Sequence, residues 1–130
     1  MIKTSKAVLV AGAILAGLAV GIGAFGAHGL QDLLREHGRQ ATFETGVKFQ
    51  FYHSLALLLV GILMHLRQDR AGAMVWAARL ILAGTLIFSF SLYILCLTNV
   101  GWWGAITPIG GTSLLIGWGL LAWGIHKSSF

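Results

Sequence analysis

Charged side chains are scarce in this sequence. They make up 10% of its 130 residues, against roughly 25% in soluble domains, so a water-facing surface cannot be assembled from them. They are absent altogether from residues 7–31, 49–66 and 80–126. Carboxylates are scarcer still: Asp32, Glu36, Glu44 and Asp69 are the full set, and all lie outside those runs. Proton-coupled cation export normally relies on a carboxylate embedded among the spans, so the sequence argues strongly against this mechanism. Cys96 is the single cysteine, which excludes an internal disulfide and leaves it as a small packing residue. One proline, Pro108, is present.

The uncharged runs consist mostly of Leu, Ile, Val, Ala, Gly, Phe and Trp. A helix needs about 20 apolar residues to cross a bilayer at about 1.5 Å each. In hydrocarbon every backbone polar group must be satisfied internally, which favours helices. The sequence therefore predicts a single all-α domain, an integral membrane bundle of four transmembrane helices spanning about 6–27, 47–66, 76–97 and 107–125. Lys3 and Lys6 before the first run could also open a signal peptide, but the run is long for one and the expectation is an uncleaved helix.

Between spans one and two, Leu30, Leu33, Leu34, His37 and Ala41 recur at helical spacing, with Asp32, Arg35, Glu36, Arg39 and Gln40 opposite. That pattern predicts a short interfacial helix broken by Gly38. The next helix starts near Thr42, with Glu44 and Lys48 as an i, i+4 pair. Trp102 and Trp103 suit the interfacial aromatic belt. Thr107-Pro108 reads as a helix start, with Thr as the N-cap and Pro at the first helical position. Gly17 and Gly21 form a small-x-x-x-small pair, read as packing inside the bundle, with a homo-oligomer contact as the sharper alternative. Gly110, Gly117 and Gly124 lie seven apart on one face of span four and predict a close seam.

The net charge of +5 does not point to nucleic acid, because the basic residues form no patch interleaved with aromatics. Lys3, Lys6, Arg67, Arg70, Arg79 and Lys127 fall on one side of the predicted topology, six of the nine basic residues. Arg35, Arg39 and Lys48 on the other side are balanced by acids. Both termini are therefore expected in the cytoplasm.

Polar residues inside the apolar spans carry the remaining information. His28 closes span one, and Gln50 and His53 share a face of span two. Ser89, Ser91 and Tyr93 lie late in span three, and Thr107 opens span four ahead of Gly110 and Gly111. Alternating topology brings all of these to the outer half of the bilayer, where buried polar groups face the bundle interior. The simplest reading is a structural hydrogen-bond network. A solute or lipid site is the alternative.

The runs Gly23-Ala-Phe-Gly-Ala-His-Gly29, Thr45-Gly-Val-Lys-Phe-Gln-Phe-Tyr-His53, Gly84-Thr-Leu-Ile-Phe-Ser-Phe-Ser-Leu-Tyr93 and Thr107-Pro-Ile-Gly-Gly111 together resemble the YgdD/YwdK family of small bacterial inner-membrane proteins, which has an animal relative, transmembrane protein 256. The resemblance spans essentially the whole chain. It implies a four-helix protein of the bacterial plasma membrane, and positions matching His28, Gln50, His53, Ser91, Tyr93, Thr107, Pro108, Gly110 and Gly111. The family is a domain of unknown function, so it supplies no catalytic residues. Phe90 stands where a small residue is expected between the serines, and Phe49 where a Tyr is expected.

Catalysis and cofactors find little support. His28 and His53 have no carboxylate or second cysteine at their depth to complete a metal site. Hydrolysis by Ser89 or Ser91 would lack an acid to orient His53. Gly23-Ala-Phe-Gly26 ends a membrane helix, not the strand-to-helix turn that binds phosphates. The expectation is a non-enzymatic protein without metal or cofactor. Its partners would be the lipid bilayer and a homo-oligomer or larger membrane complex, within which it packs or assists. The alternative is a small-solute or lipid transporter using the outer polar cluster.

Overall fold

The computed structural model describes residues 4–130, without the side chains of Arg70 and Ala71. Lys3, counted above among the basic residues of the amino end, lies outside the described residues. Five α-helices account for most of the chain: α1 Ser5–His28, α2 Gln31–His37, α3 Gln40–Leu66, α4 Ala71–Thr98 and α5 Thr107–Lys127. Short 3-10 turns at Gln68–Arg70 and Gly101–Ala105 join α3 to α4 and α4 to α5. Among the described residues, four helices are long and apolar enough to cross a membrane. The short α2 lies between the first two, as the amphipathic pattern predicts.

Local chemistry sets the boundaries. The Thr4 hydroxyl caps α1 by accepting the Ala7 amide at 3.2 Å. Gly38 closes α2 with φ of 66°, in the left-handed region, and its amide returns to Arg35 and Leu34; this is the conformation for which glycine is favoured at a helix end. The next helix begins at Gln40, two residues before the expected Thr42. Asn99 turns the chain out of α4 with φ of 55°. Thr107 is not an N-cap. Ile106 holds that place without a side-chain bond, because the Thr107 hydroxyl is drawn to Ser91 on α4.

Sequence neighbours do the packing. The main contacts are α1 on α3, α3 on α4 and α4 on α5, whereas α1 and α5 share no substantial contact. The spans therefore stand in an open row in chain order, with α1 and α5 on its flanks. The core runs along the row through Val8, Leu57, Val60, Met74, Ala77 and Ile81, all fully buried. Missing side chains permit the close approaches. A Cβ on Gly12 would lie 2.9 Å from the Ser54 carbonyl oxygen, and one on Gly117 2.8 Å from the Ile81 side chain. Gly124 faces the Ala73 methyl. Gly110, Gly117 and Gly124 thus form the expected seam.

Gly17 and Gly21 do not pack inside the bundle. A Cβ at either would meet nothing within 4 Å. Helix α1 meets α3 through Val8, Gly12, Leu15 and Ala19. Gly17 and Gly21 are each two residues from Ala19, about 200° around the helix, so they face outward.

The end of the row that carries α2 is stitched together. The His37 ring bonds the Cys96 carbonyl at 2.8 Å, one of the carbonyls at the end of α4 that lacks an intrahelical partner. The Cys96 thiol reaches the Arg39 carbonyl at 3.6 Å, and Arg39 Nε donates to Asn99 Oδ1 at 3.2 Å. The exposed pairs Asp32–Arg35 at 3.8 Å and Glu44–Lys48 at 3.2 Å add little stability, because water screens them.

Candidate functional site

Gln50 is a large polar side chain with no exposed surface. Its amide donates to the Leu15 carbonyl on α1 at 2.8 Å. Its amide oxygen accepts from the Tyr93 hydroxyl on α4 at 2.6 Å. One side chain on α3 thus joins both of that helix's neighbours. Beside it, the Ser89 hydroxyl of α4 donates to the Gly46 carbonyl of α3 at 2.7 Å. Gly46 is required here, because a Cβ would sit 2.8 Å from the Tyr93 ring. The Phe43 and Phe90 rings pack against Tyr93, each with centroids at 5.3 Å. The departure at Phe90 therefore adds a ring against Tyr93.

His53 lies three residues along α3 from Gln50, about 60° around the helix, and takes a different partner. Its Nδ1 lies 2.7 Å from the Phe49 carbonyl, and its Nε2 lies 3.0 Å from Trp118 Nε1 on α5. An indole nitrogen only donates, so Nε2 accepts and Nδ1 donates to the carbonyl. Phe49 stacks against Phe88 with centroids at 4.3 Å, and also lies against His53 at 5.8 Å. At Phe49, in place of the expected Tyr, the network gains stacking instead of a hydroxyl.

A third bridge joins α4 to α5. The Ser91 and Thr107 hydroxyls lie 2.7 Å apart, and the Ser91 hydroxyl lies 2.9 Å from the Phe88 carbonyl. The Thr107 hydroxyl also lies 3.5 Å from the Trp103 carbonyl, so either hydroxyl can donate to the other. Deeper in the same interface, Ser113 donates to the Leu80 carbonyl at 2.8 Å. Ser54 and Thr85 bond carbonyls four residues back on their own helices.

The structure brings Gln50 to Tyr93 and Ser91 to Thr107, but it does not gather all the expected residues at one point. His53 pairs with Trp118, away from Gln50. His28 is exposed at the end of α1; it lies two residues past Gly26, which packs on α3, and so points to the opposite side. Gly111 has only ordinary contact with the Phe88 ring. Trp118, Ser113 and the Leu15 carbonyl are among the participants that escaped the sequence reading. Trp118 reads as apolar, and its partner becomes visible only once the offset of α5 against α3 is known.

Chemically, the arrangement holds helices. Ser91 and His53 are bound to different partners, so no hydroxyl–imidazole pair is set up for proton transfer. Among the described residues, no three His, Cys, Asp or Glu side chains gather as a metal site would require.

Residues 22–111 match the family described as "Protein of unknown function (DUF423)". The chain belongs to the DUF423 family. The DUF423 segment includes His28, Gln50, His53, Ser91, Tyr93 and Thr107, and omits Gly17, Gly117 and Trp118. The chain is 45% identical over 116 residues to UPF0382 membrane protein SAB0533 of Staphylococcus aureus (strain bovine RF122 / ET3-1), covering 89% of this chain and 92% of the relative. It is 43% identical over 113 residues to UPF0382 membrane protein YwdK of Bacillus subtilis (strain 168), covering 87% and 90%. It is 41% identical over 122 residues to UPF0382 membrane protein SSP2132 of Staphylococcus saprophyticus, covering 94% and 98%. No solved structure matches at a significant level. With these relatives and four apolar helices, this DUF423 chain is a multi-pass bacterial membrane protein of unknown function.

Proposed function

We propose that the chain is a non-enzymatic packing component of the bacterial inner membrane that joins a homo-oligomer or larger membrane assembly along the α1 flank. The observation that carries this reading is the half-used state of α1. Its Gly12 face is pressed on α3, while Gly17 and Gly21, on the opposite face, have nothing against them. Only 22% of the most apolar stretch of α1 is buried, against 50% for α4. Small residues on an uncovered face let another helix backbone approach closely. The polar interior supports the same reading over a carrier. Gln50, His53, Ser89, Ser91, Tyr93 and Thr107 are all bonded to protein partners, which favours a structural role over solute binding.

Cysteine cross-linking tests the flank. In a Cys96→Ala background, Gly17→Cys is expected to form disulfide or short bis-maleimide adducts in native membranes, either with itself or with a second protein. Thr112→Cys on the far side of the row is expected to form fewer than a fifth as many. Equal yields at the two positions would remove the α1 flank as an assembly face.

Both termini are assigned to the cytoplasm on the positive-inside bias. Impermeant maleimide should label Arg35→Cys from outside spheroplasts, and Arg70→Cys only after lysis. Labelling of both from one side would refute this orientation.

A further inference from the structure

We infer that the α1–α3 groove binds one phospholipid with a primary-amine headgroup, a phosphoethanolamine lipid, independently of any assembly role. Two hollows lie end to end between α1 and α3. The deeper one, about 360 Å³, is walled by Ala19, Val20, Val47 and Phe51. The other, about 370 Å³, lies under α2 and is lined by the polar side chains Gln31, Gln40 and Glu44. Gly23 and Val47 line both, so the two are continuous. The combined space is polar at the α2 end and apolar below, the shape of an amphiphile.

Its depth fits. The uncharged run 49–66 is about 27 Å of helix at about 1.5 Å per residue, close to the roughly 30 Å of a hydrocarbon core. Lys48 therefore stands at the edge of the acyl region and Glu44 one turn further out, among headgroups. The apolar hollow, lined by Ala19 and Phe51, begins where acyl chains begin.

Charge selects the headgroup. Glu44 and Lys48 are one turn apart on α3 and pair at 3.2 Å, with both side chains more than half exposed. Such an exposed pair adds little stability, so a zwitterion can replace it without a large loss. A phosphate would face the Lys48 ammonium, and the headgroup ammonium would face Glu44. That ammonium has three N–H donors. Glu44 and the amide oxygens of Gln31 and Gln40 supply three acceptors around the same hollow, and neither amide has a hydrogen-bond partner among the described residues. A choline headgroup would offer no N–H, and a glycerol headgroup no cation for Glu44.

Native mass spectrometry tests the assignment on the full chain. The protein is reconstituted in nanodiscs of equal dioleoyl phosphatidylethanolamine, phosphatidylcholine and phosphatidylglycerol, then released. One phosphatidylethanolamine per chain is expected to be retained at least fivefold over either competitor. Glu44→Gln, an exposed change that leaves the fold intact, is expected to abolish that preference. Gly23→Leu is expected to remove retained lipid of every class, because a Cβ there is already 3.1 Å from Val47. Gly119→Leu on α5, where a Cβ meets nothing within 4 Å, is expected to leave lipid retention unchanged. Equal retention of the three lipids, a preference for phosphatidylglycerol, or a preference that survives Glu44→Gln would each overturn the inference.

Discussion

Gln50→Ala is expected to cost about 3 kcal/mol of stability in detergent micelles. The variant removes the acceptor of the Tyr93 hydroxyl and the donor to Leu15. An orphaned buried polar group costs about 1–3 kcal/mol, and the vacated volume adds to that. Membrane helix hydrogen bonds measured by double-mutant cycles average only about 0.6 kcal/mol and reach about 1.7 kcal/mol, so volume and orphaning must be separated. Gln50→Leu keeps most of the volume and is expected to cost about 1–2 kcal/mol, mainly through the stranded phenol. Adding Tyr93→Phe removes that orphan, and the double variant should recover most of the loss. Unfolding by steric trapping reads all three. If Gln50→Leu costs under about 0.5 kcal/mol, or if the two changes simply add, the bridge from α1 through α3 to α4 does not hold the row together.

Two adjacent glycines should behave oppositely. A Cβ on Gly110 would fall 2.8 Å from the Gly84 carbonyl oxygen and closer still to the Phe88 amide. Both are backbone atoms, so no side chain can rotate away, and α4 and α5 must separate. Overpacking of this kind costs about 1–3 kcal/mol, and Gly110→Ala is expected at the upper end. At Gly111 the added carbon would meet only the Phe88 ring, at 3.8 Å. Gly111→Ala is therefore expected to be neutral or to gain up to about 1 kcal/mol, the helix preference for alanine over glycine. Thermal unfolding of the two variants side by side decides the matter. Similar midpoints would show that the α4–α5 seam yields more readily than its backbone contacts imply.

The number of spans and the place of α2 were legible because charge is forbidden in hydrocarbon, and that prohibition acts residue by residue. The seam of Gly110, Gly117 and Gly124 was legible because a spacing of seven stays on one helix face. Direction around a helix was harder. Gly17, Gly21 and His28 looked equivalent to the packed small and polar residues, yet each lies two positions from a contact residue and so faces away. Which face of α1 meets α3 depends on a partner that its own sequence does not specify. The offset between helices was hidden in the same way. His53 was visible as an intramembrane histidine, but its pairing with Trp118 depends on how far α5 slides along the row. Thr107 failed as an N-cap because a buried hydroxyl on another helix competed for its bond, a tertiary effect that local propensity does not register.

The open row has a consequence for biogenesis. Each spanning helix packs mainly on its neighbours in the chain, so most stabilising contacts close short stretches of chain, and chains rich in near-sequence contacts fold fast. The α1–α3 hairpin can settle, with Gln50 already on Leu15, while the remaining spans are still being synthesised. The pairing of Trp118 with His53 must wait until α5 has emerged, which makes that bond a late latch on a structure otherwise assembled hairpin by hairpin.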